Sequence, residues 1–225
     1  MNNGKTCILE IITTEKLRHK LDLHSKYVNG EEGGKKADFR RREFRNCDFG
    51  TNRIYGIDFS NSNFIGGSNT LIDTTFNDCI FDRSCLNASD IRNASFEVCS
   101  LKKVLMKYVR ADFTTFMSCD LSEADFSYSN LHHAAFEKSN MTGILLDGVI
   151  GNSMQIKSLQ IHDYHITYTS THLQIGCQQF PISQWFKFTY REIRELDRTF
   201  PTKAENFWRK HKALIKNIIE TSPAI

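Results

Sequence analysis

Residues 114–138 read TTFMS CDLSE ADFSY SNLHH AAFEK, five blocks of five whose third positions are Phe116, Leu121, Phe126, Leu131 and Phe136. Two residues before each stands a small side chain: Thr114, Cys119, Ala124, Ser129 and Ala134. A period of five matches neither the 3.6-residue turn of an α-helix nor the two-residue repeat of a strand. It requires a backbone that turns one corner every five residues, so that four corners close a square coil of about 20 residues.

The register extends outward from this stretch. Central positions begin at Phe39, Phe44, Phe49, Ile54, Phe59 and Phe64, resume at Leu71, Phe76 and Phe81, and continue through Phe96, Met106 and Ala111 to Met141 and Leu146. That makes 22 units with one step of seven, where two extra residues enter at Ile65, Gly66, Gly67 and Ser68. The extra residues must bulge outward as a loop, because the register resumes after them. Loops on rigid scaffolds often carry function, but a bulge of this size is small. Coils stacked through backbone hydrogen bonds at roughly 4.8 Å would make about five and a half turns and a rod of roughly 26 Å. The large side chain fills the centre and the small one sits inside near the corner. Phe76, Phe96, Phe116 and Phe136 should stack in one column, and Cys79, Cys99 and Cys119 in another. Three cysteines so spaced could suggest a metal or redox ladder, but cysteine is also a small apolar filler. Ala111 stands where its neighbours are larger, so a small cavity or a shifted neighbour is expected there.

The pattern of a small residue, Asp or Asn, a large apolar residue and two variable ones (Ala37-Asp38-Phe39, Cys47-Asp48-Phe49, Ala124-Asp125-Phe126) resembles the pentapeptide-repeat proteins. The resemblance covers about half of the chain. It implies an all-β solenoid, a right-handed quadrilateral β-helix, over residues 37–148. An N-terminal strand/helix cap over 1–36 and a small C-terminal α+β module over 149–225 complete the expected organisation.

Exposed end coils would fray or aggregate, so both ends need covers. At the N-terminus, Ile8–Ile12 reads as a strand and a helix follows from about Thr14, its candidate N-cap, with Leu17, Leu21 and Tyr27 as its apolar stripe. Gly30, Gly33 and Gly34 lead into the first coil. In the C-terminal segment, Thr167–Ile175 alternates as a strand. Thr189-x-x-Glu192 and Thr202-x-x-Glu205 both read as capping boxes opening helices, with Pro201 between them. The last helix carries Phe207, Trp208, Leu214, Ile215 and Ile218 on one face. That stripe can bury itself on the final coil, on the segment's own helices, or on a second copy, as a homodimer. Leu173-Gln174-Ile175-Gly176-Cys177 with Trp185 looks like a module associated with pentapeptide-repeat proteins of phages and prophages, as does the leader through Ala37-Asp38. That likeness implies a phage-encoded product acting on a bacterial host.

Charge is modest: the formal net charge is +3, with 12 basic and 15 acidic residues in 37–150. Neither a nucleic-acid-binding arm nor a strongly acidic DNA mimic is indicated, so no direct nucleic-acid binding is expected. No apolar run approaches the ~20 residues of a membrane helix, and no signal peptide is legible. Seven cysteines without paired spacing fit reduced thiols, so a cytoplasmic location is expected.

The one cluster with chemical potential is His162, Asp163, His165, His172 and Cys177, but its spacings match no recognised ligand or nucleophile motif. Gly66-Gly67 lacks the Lys-Ser/Thr and helix of a phosphate loop. No enzyme activity, cofactor or metal is expected. Three residues in five point outward and should be polar. Leu105, Tyr108 and Phe113 break that rule, with Tyr128 and His133 one coil further on and Lys102, Lys103, Lys107 and Arg110 around them. An aromatic patch with a basic rim suits a protein partner. It could also be covered by a terminal segment, or stack as a simple ladder.

The leading reading is a non-enzymatic scaffold that binds and inhibits or modulates a host protein, such as a defence component. One alternative is a gyrase- or topoisomerase-directed DNA mimic, as the resemblance to quinolone-resistance relatives implies. The cations Arg83, Arg92 and those of the patch oppose it, since mimicry needs acidic rows at phosphate-like spacing. The other alternative is a scaffold that sequesters a small ligand.

Overall fold

In the computed structural model, which describes residues 9–65 and 69–225, a left-handed residue follows the described central positions at a spacing of two, except after Phe49, where Gly50 takes that conformation one residue on. From Arg41 and Asn46 through Asn93, Tyr108 and Glu123 to Lys138, the non-glycine corners have φ between 51° and 61°. One such residue per five bends the chain sharply enough to close a square. Asn, Asp and Gly tolerate that conformation best. Where other side chains occupy it, corner amides are tied to the next coil, as in Arg83 N–H to Lys102 O (2.9 Å) and Tyr108 N–H to Ser127 O (3.1 Å).

The chain is a β-solenoid. One ladder of parallel bridges climbs through Asp38, Asp58, Ile80, Ser100, Asp120 and Asn140. Short strands mark two sides: β2 (Arg42–Arg45) pairs with β4 (Asn63–Ile65), while β3 (Arg53–Tyr55), β5 (Thr75–Asn77), β6 (Ser95–Glu97) and β7 (Thr115–Met117) form a parallel sheet. Pairing is offset by 22 residues across the interruption (Ile54 with Phe76) and by 20 after it (Phe76 with Phe96, Phe96 with Phe116). Gly66–Ser68 lie outside the described residues, and of Ile65 the structure describes its pairing at the end of β4, opposite Arg45.

Inside the coil the expected column is present. Phe76, Phe96, Phe116 and Phe136 stack with ring centroids 5.0–5.1 Å apart. Ala111 is fully buried in the central series. The small inward residues do more than fit. Cys99 Sγ donates to Phe76 O (3.4 Å), Cys119 Sγ to Phe96 O (3.2 Å), Thr114 Oγ1 to Ile91 O (2.7 Å) and Ser129 Oγ to Met106 O (2.7 Å). Each gives the carbonyl of a central residue in the coil below a side-chain donor, in addition to backbone donors such as Ala94 N–H on Ile91 O (3.0 Å).

At the N-terminus β1 (Glu10–Ile12) pairs parallel with β2, setting Ile12 beneath Phe44 as if it belonged to one more coil. Ile8 falls outside the described residues. Helix α1 (Thr14–Val28) is capped by Thr13, one residue earlier than the sequence suggested. Leu17 is buried, but Tyr27 is half exposed, and the second inward contact is His24. Its Nδ1 accepts from Ala37 N–H (3.1 Å) and its Nε2 lies 2.7 Å from Tyr55 O. With Nδ1 accepting, Nε2 must carry the proton and donate. Gly34 passes so close to the Tyr27 backbone that a Cβ would collide with it.

Residues Leu146–Ile225 form a second compact unit. Strands β8 (Lys157–Ile161), β9 (Tyr164–Tyr168), β10 (His172–Ile175) and β11 (Gln178–Pro181) make an antiparallel sheet in that order. The single strand read from Thr167–Ile175 is instead a hairpin, with Thr169 Oγ1 accepting from His172 N–H in the turn (3.1 Å). Helices α2 (Ile182–Trp185), α3 (Tyr190–Leu196) and α4 (Pro201–Thr221) follow. Thr189 and Glu192 form the expected capping box on α3. The second one, at Thr202 and Glu205, does not form. Pro201 already supplies the first helical residue, and Glu205 pairs with Arg209. Phe207, Trp208 and Ile215 of α4 are buried with Ile166, Leu173, Ile175, Trp185 and Ile193 of their own unit. Ile218 packs at the edge of that core, and Leu214 is 47% exposed.

Candidate functional site

The corner conformation that closes the coil also aims its side chain outward, and four aromatic residues occupy adjacent corner columns. Tyr108 (φ 60°) stacks on Tyr128 (φ 61°) at 5.2 Å between centroids, with planes 13° apart. One corner on, Phe113 (φ 59°) stacks on His133 (φ 57°) at 4.8 Å and 23°. Tyr108 is 60% exposed, Phe113 57% and Tyr128 50%. Between the two columns the side of the coil presents Arg110, Asp112, Asn130 and His132; Asn130 Nδ2 donates to Asp112 Oδ1 (2.9 Å), and the His132 and His133 rings lie 4.0 Å apart. Exposed Leu105 precedes the Tyr108 corner, with Lys107 beside it.

The basic rim is not a field of free cations. Lys102 pairs with Asp120 (3.4 Å), Lys103 with Glu123 (3.1 Å), Lys107 with Asp125 (3.0 Å) and Arg110 with Asp90 (3.5 Å). Every one of these carboxylates comes from a neighbouring coil, at an offset of 18 or 20 residues, because the twenty-residue turn brings those positions side by side. Three pairs are half exposed and contribute little to stability. Asp125 differs, being buried and accepting from the Ser127 amide (3.0 Å) and hydroxyl (2.6 Å) as well. The patch therefore presents apolar rings over a balanced set of charges.

The histidine, aspartate and cysteine cluster disperses. His165 Nε2 lies 2.9 Å from Val149 O, on the face of β9 opposite Ile166, where Thr167 Oγ1 donates to Leu146 O (3.3 Å). His172 Nδ1 bonds Thr171 Oγ1 (2.9 Å) and Asp163 pairs with Lys203 (2.8 Å), which holds that carboxyl below its ordinary range. His162 stands 5.2 Å from the His211 ring, and Cys177 is exposed. Among the described residues no group of three or more His, Cys, Asp or Glu is placed to hold a metal ion, and no helix is long and apolar enough to cross a membrane. Among the buried thiols, burial pushes Cys47 up to about 11, and hydrogen bonds to Cys119 and Cys79, together with burial, raise Cys99, while the same bonds to Cys99 lower Cys79 and Cys119.

Two features escaped the sequence reading. The corner role of positions 108, 113, 128 and 133 was available from the five-residue register, since each lies two past a centre. The cleft in the second unit was not, because its walls come from segments whose packing has no fixed period.

The family model for pentapeptide repeats matches residues 110–143, in 8 copies. No curated protein matches the chain. Among solved structures it is similar to a pentapeptide repeat protein from the cyanobacterium Cyanothece 51142, at 17% identity and a TM-score of 0.24, over 44% of this chain and 63% of that one. It is similar also to HetL, involved in heterocyst differentiation regulation in the cyanobacterium Nostoc sp. strain PCC 7120, at 15% identity and a TM-score of 0.27, over 52% and 67%. A third is full-length QnrB1, a plasmid-mediated fluoroquinolone resistance protein, at 16% identity and a TM-score of 0.19, over 62% and 69%. The chain thus spans less than two thirds of the Cyanothece protein, and similarities of this extent carry no partner or activity over to it. The matched segment carries the five-residue period that the left-handed corners repeat along the coil from Arg41 to Lys138.

Proposed function

We propose that the protein is a non-enzymatic scaffold that binds a protein partner through the corner ladder of Tyr108, Tyr128, Phe113 and His133. The observation that carries this reading is the placement of aromatic rings, half or more exposed for three of the four, at left-handed corners where the same coil accepts Asn, Glu or Lys. The fold does not ask for a ring there. Rings held side by side on a rigid backbone give a partner apolar area at low entropic cost, and paired charges around them supply directional contacts. In line with the terminal-module likeness, the partner is a bacterial host protein and the chain is phage- or prophage-encoded, acting in the host cytoplasm. Affinity capture from a bacterial extract, with Tyr108→Glu and Tyr128→Glu alongside, tests this. A protein retained by wild type and lost with either variant is expected. Equal recovery with all three would refute the ladder as the binding face.

The gyrase-directed alternative has less support, because the acidic residues of this face sit in pairs with Lys102, Lys103, Lys107 and Arg110 rather than in free rows. A supercoiling assay unchanged at micromolar protein would remove it. A homodimer through α4 would have to use Leu214, since its other large apolar residues are engaged within their own unit. Light scattering of Leu214→Glu tests that contact without disturbing the core.

A further inference from the structure

The second unit contains a cleft of about 390 Å³, within the usual range for small-molecule sites. Its walls are apolar and aromatic: Tyr164, Ile193, Phe207 and both tryptophans of the chain, Trp185 and Trp208. Trp185 is fixed by donating its indole N–H to Leu173 O, and Tyr164 packs on Phe207 at 4.4 Å. The buried indole N–H of Trp208 has no acceptor among the described residues. Ile175, Gly176 and Cys177 of the β10–β11 turn complete the wall, so the segment singled out in the sequence lies along this cleft.

Charge at the mouth is asymmetric. Asp197 has its oxygens engaged: Oδ1 accepts from Thr199 N–H (3.1 Å) and Phe200 N–H (2.8 Å), and Oδ2 from the Tyr164 hydroxyl (3.3 Å). Burial and the nearby Asp197 push Tyr164 up to about 12, so its hydroxyl remains a donor. The next residue, Arg198, lines the cleft, is exposed and has no carboxylate partner among the described residues. An unpaired guanidinium beside an aromatic cleft matches a ligand with an apolar body and one anionic group.

We propose that this cleft binds a small apolar carboxylate, its hydrocarbon body between Trp185 and Trp208 and its carboxylate on Arg198. The site is independent of the coil's aromatic ladder. It also gives a place, within the second unit alone, to the ligand-sequestering reading. The test uses the full chain with adamantane carboxylate and its neutral carboxamide as probes. Two readouts are built into the site: tryptophan emission, because both tryptophans line the cleft, and maleimide labelling of exposed Cys177, located by mass spectrometry. The acid should change emission saturably and slow labelling of Cys177. It should bind about tenfold more tightly than the amide, and Arg198→Ala should remove that tenfold preference while leaving amide binding unchanged. Ala204→Leu, which fills the cleft, should weaken both probes, with thermal melting confirming that the variant is folded. No saturable response to the acid would overturn the site. Equal affinity for acid and amide, or an Arg198→Ala protein that still prefers the acid, would overturn the assignment of an anionic ligand.

Discussion

Phe96 and Phe116 stack inside the coil with centroids 5.1 Å apart, while Tyr108 and Tyr128 stack outside it at 5.2 Å, and both pairs are separated by twenty residues. The spacing is set by the rise of the coil, so stacking alone says nothing about purpose. Everything else differs. The inner rings are fully buried in strand-paired backbone, and the outer pair is 60% and 50% exposed at φ near 60°. An inner ring is held by every contact that excludes water from the core. An outer pair gains one stack of about 0.5–1.5 kcal/mol, while each of its two corners sits in a conformation costing roughly 1–2 kcal/mol for residues other than glycine. The stack is no larger than the strain of the corners that carry it, so the coil gains little from the rings.

The inner column is where the comparison should break hardest. Phe96→Ala should cost about 3–5 kcal/mol of unfolding free energy, read by urea denaturation. A loss below about 1 kcal/mol would mean the coil does not depend on its central stack.

A smaller effect separates size from hydrogen bonding in the column beside it. Cys99→Ser keeps a side-chain donor for Phe76 O and should stay within about 0.5 kcal/mol of wild type, whereas Cys99→Ala removes that hydrogen bond and should lose about 0.5–1.5 kcal/mol more than the serine variant. Equal losses would show that the thiol is merely filler. His24→Ala should likewise cost about 1–3 kcal/mol, since it strands the Ala37 amide and the Tyr55 carbonyl where α1 meets the first coil. A melting profile like that of wild type would contradict the docking role given to that ring.

The coil was legible because one constraint, a corner every five residues, ties side-chain size to position at each of 22 units. Its hydrogen bonds were less so: Cys, Ser and Thr were read as small, and their donation to carbonyls in the coil below needed the stacking to be seen. Tyr108 and Phe113 stood out as outward apolar residues, but the neutralised rim did not, because Lys107 and Asp125 are 18 residues apart and meet through the turn of the coil. In the second unit the reading was weaker. Thr167–Ile175 folds back at Thr169–Thr171, and nothing in the alternation of apolar residues marks that reversal. The second capping box failed since Pro201 fixes the start of α4 earlier, leaving Thr202 inside the helix.

The smallest expected effect is a pH dependence confined to the second unit. Burial, followed by the charges of His162 and Lys210, holds His211 below its ordinary 6.5, in a setting where His162 lies 5.2 Å and Phe207 4.9 Å from its ring. The unfolded chain then binds more protons between the folded value and 6.5, so stability rises with pH across that window and falls as pH drops below 6.5. Tryptophan emission reports this unit alone, and His211→Gln should flatten the slope. A slope unchanged by the substitution would place the titration elsewhere.

The central claim, that the outer ladder serves a partner and not the coil, is tested most directly by replacing Tyr108, Phe113, Tyr128 and His133 together with Asn and measuring the unfolding free energy. Asn already occupies this corner conformation at Asn46, Asn61 and Asn93. The stacks lost amount to about 1–3 kcal/mol, offset by relief of four strained corners. The account predicts stability within about 2 kcal/mol of wild type. A loss of about 4 kcal/mol or more would show that the rings hold the coil together, and would contradict it.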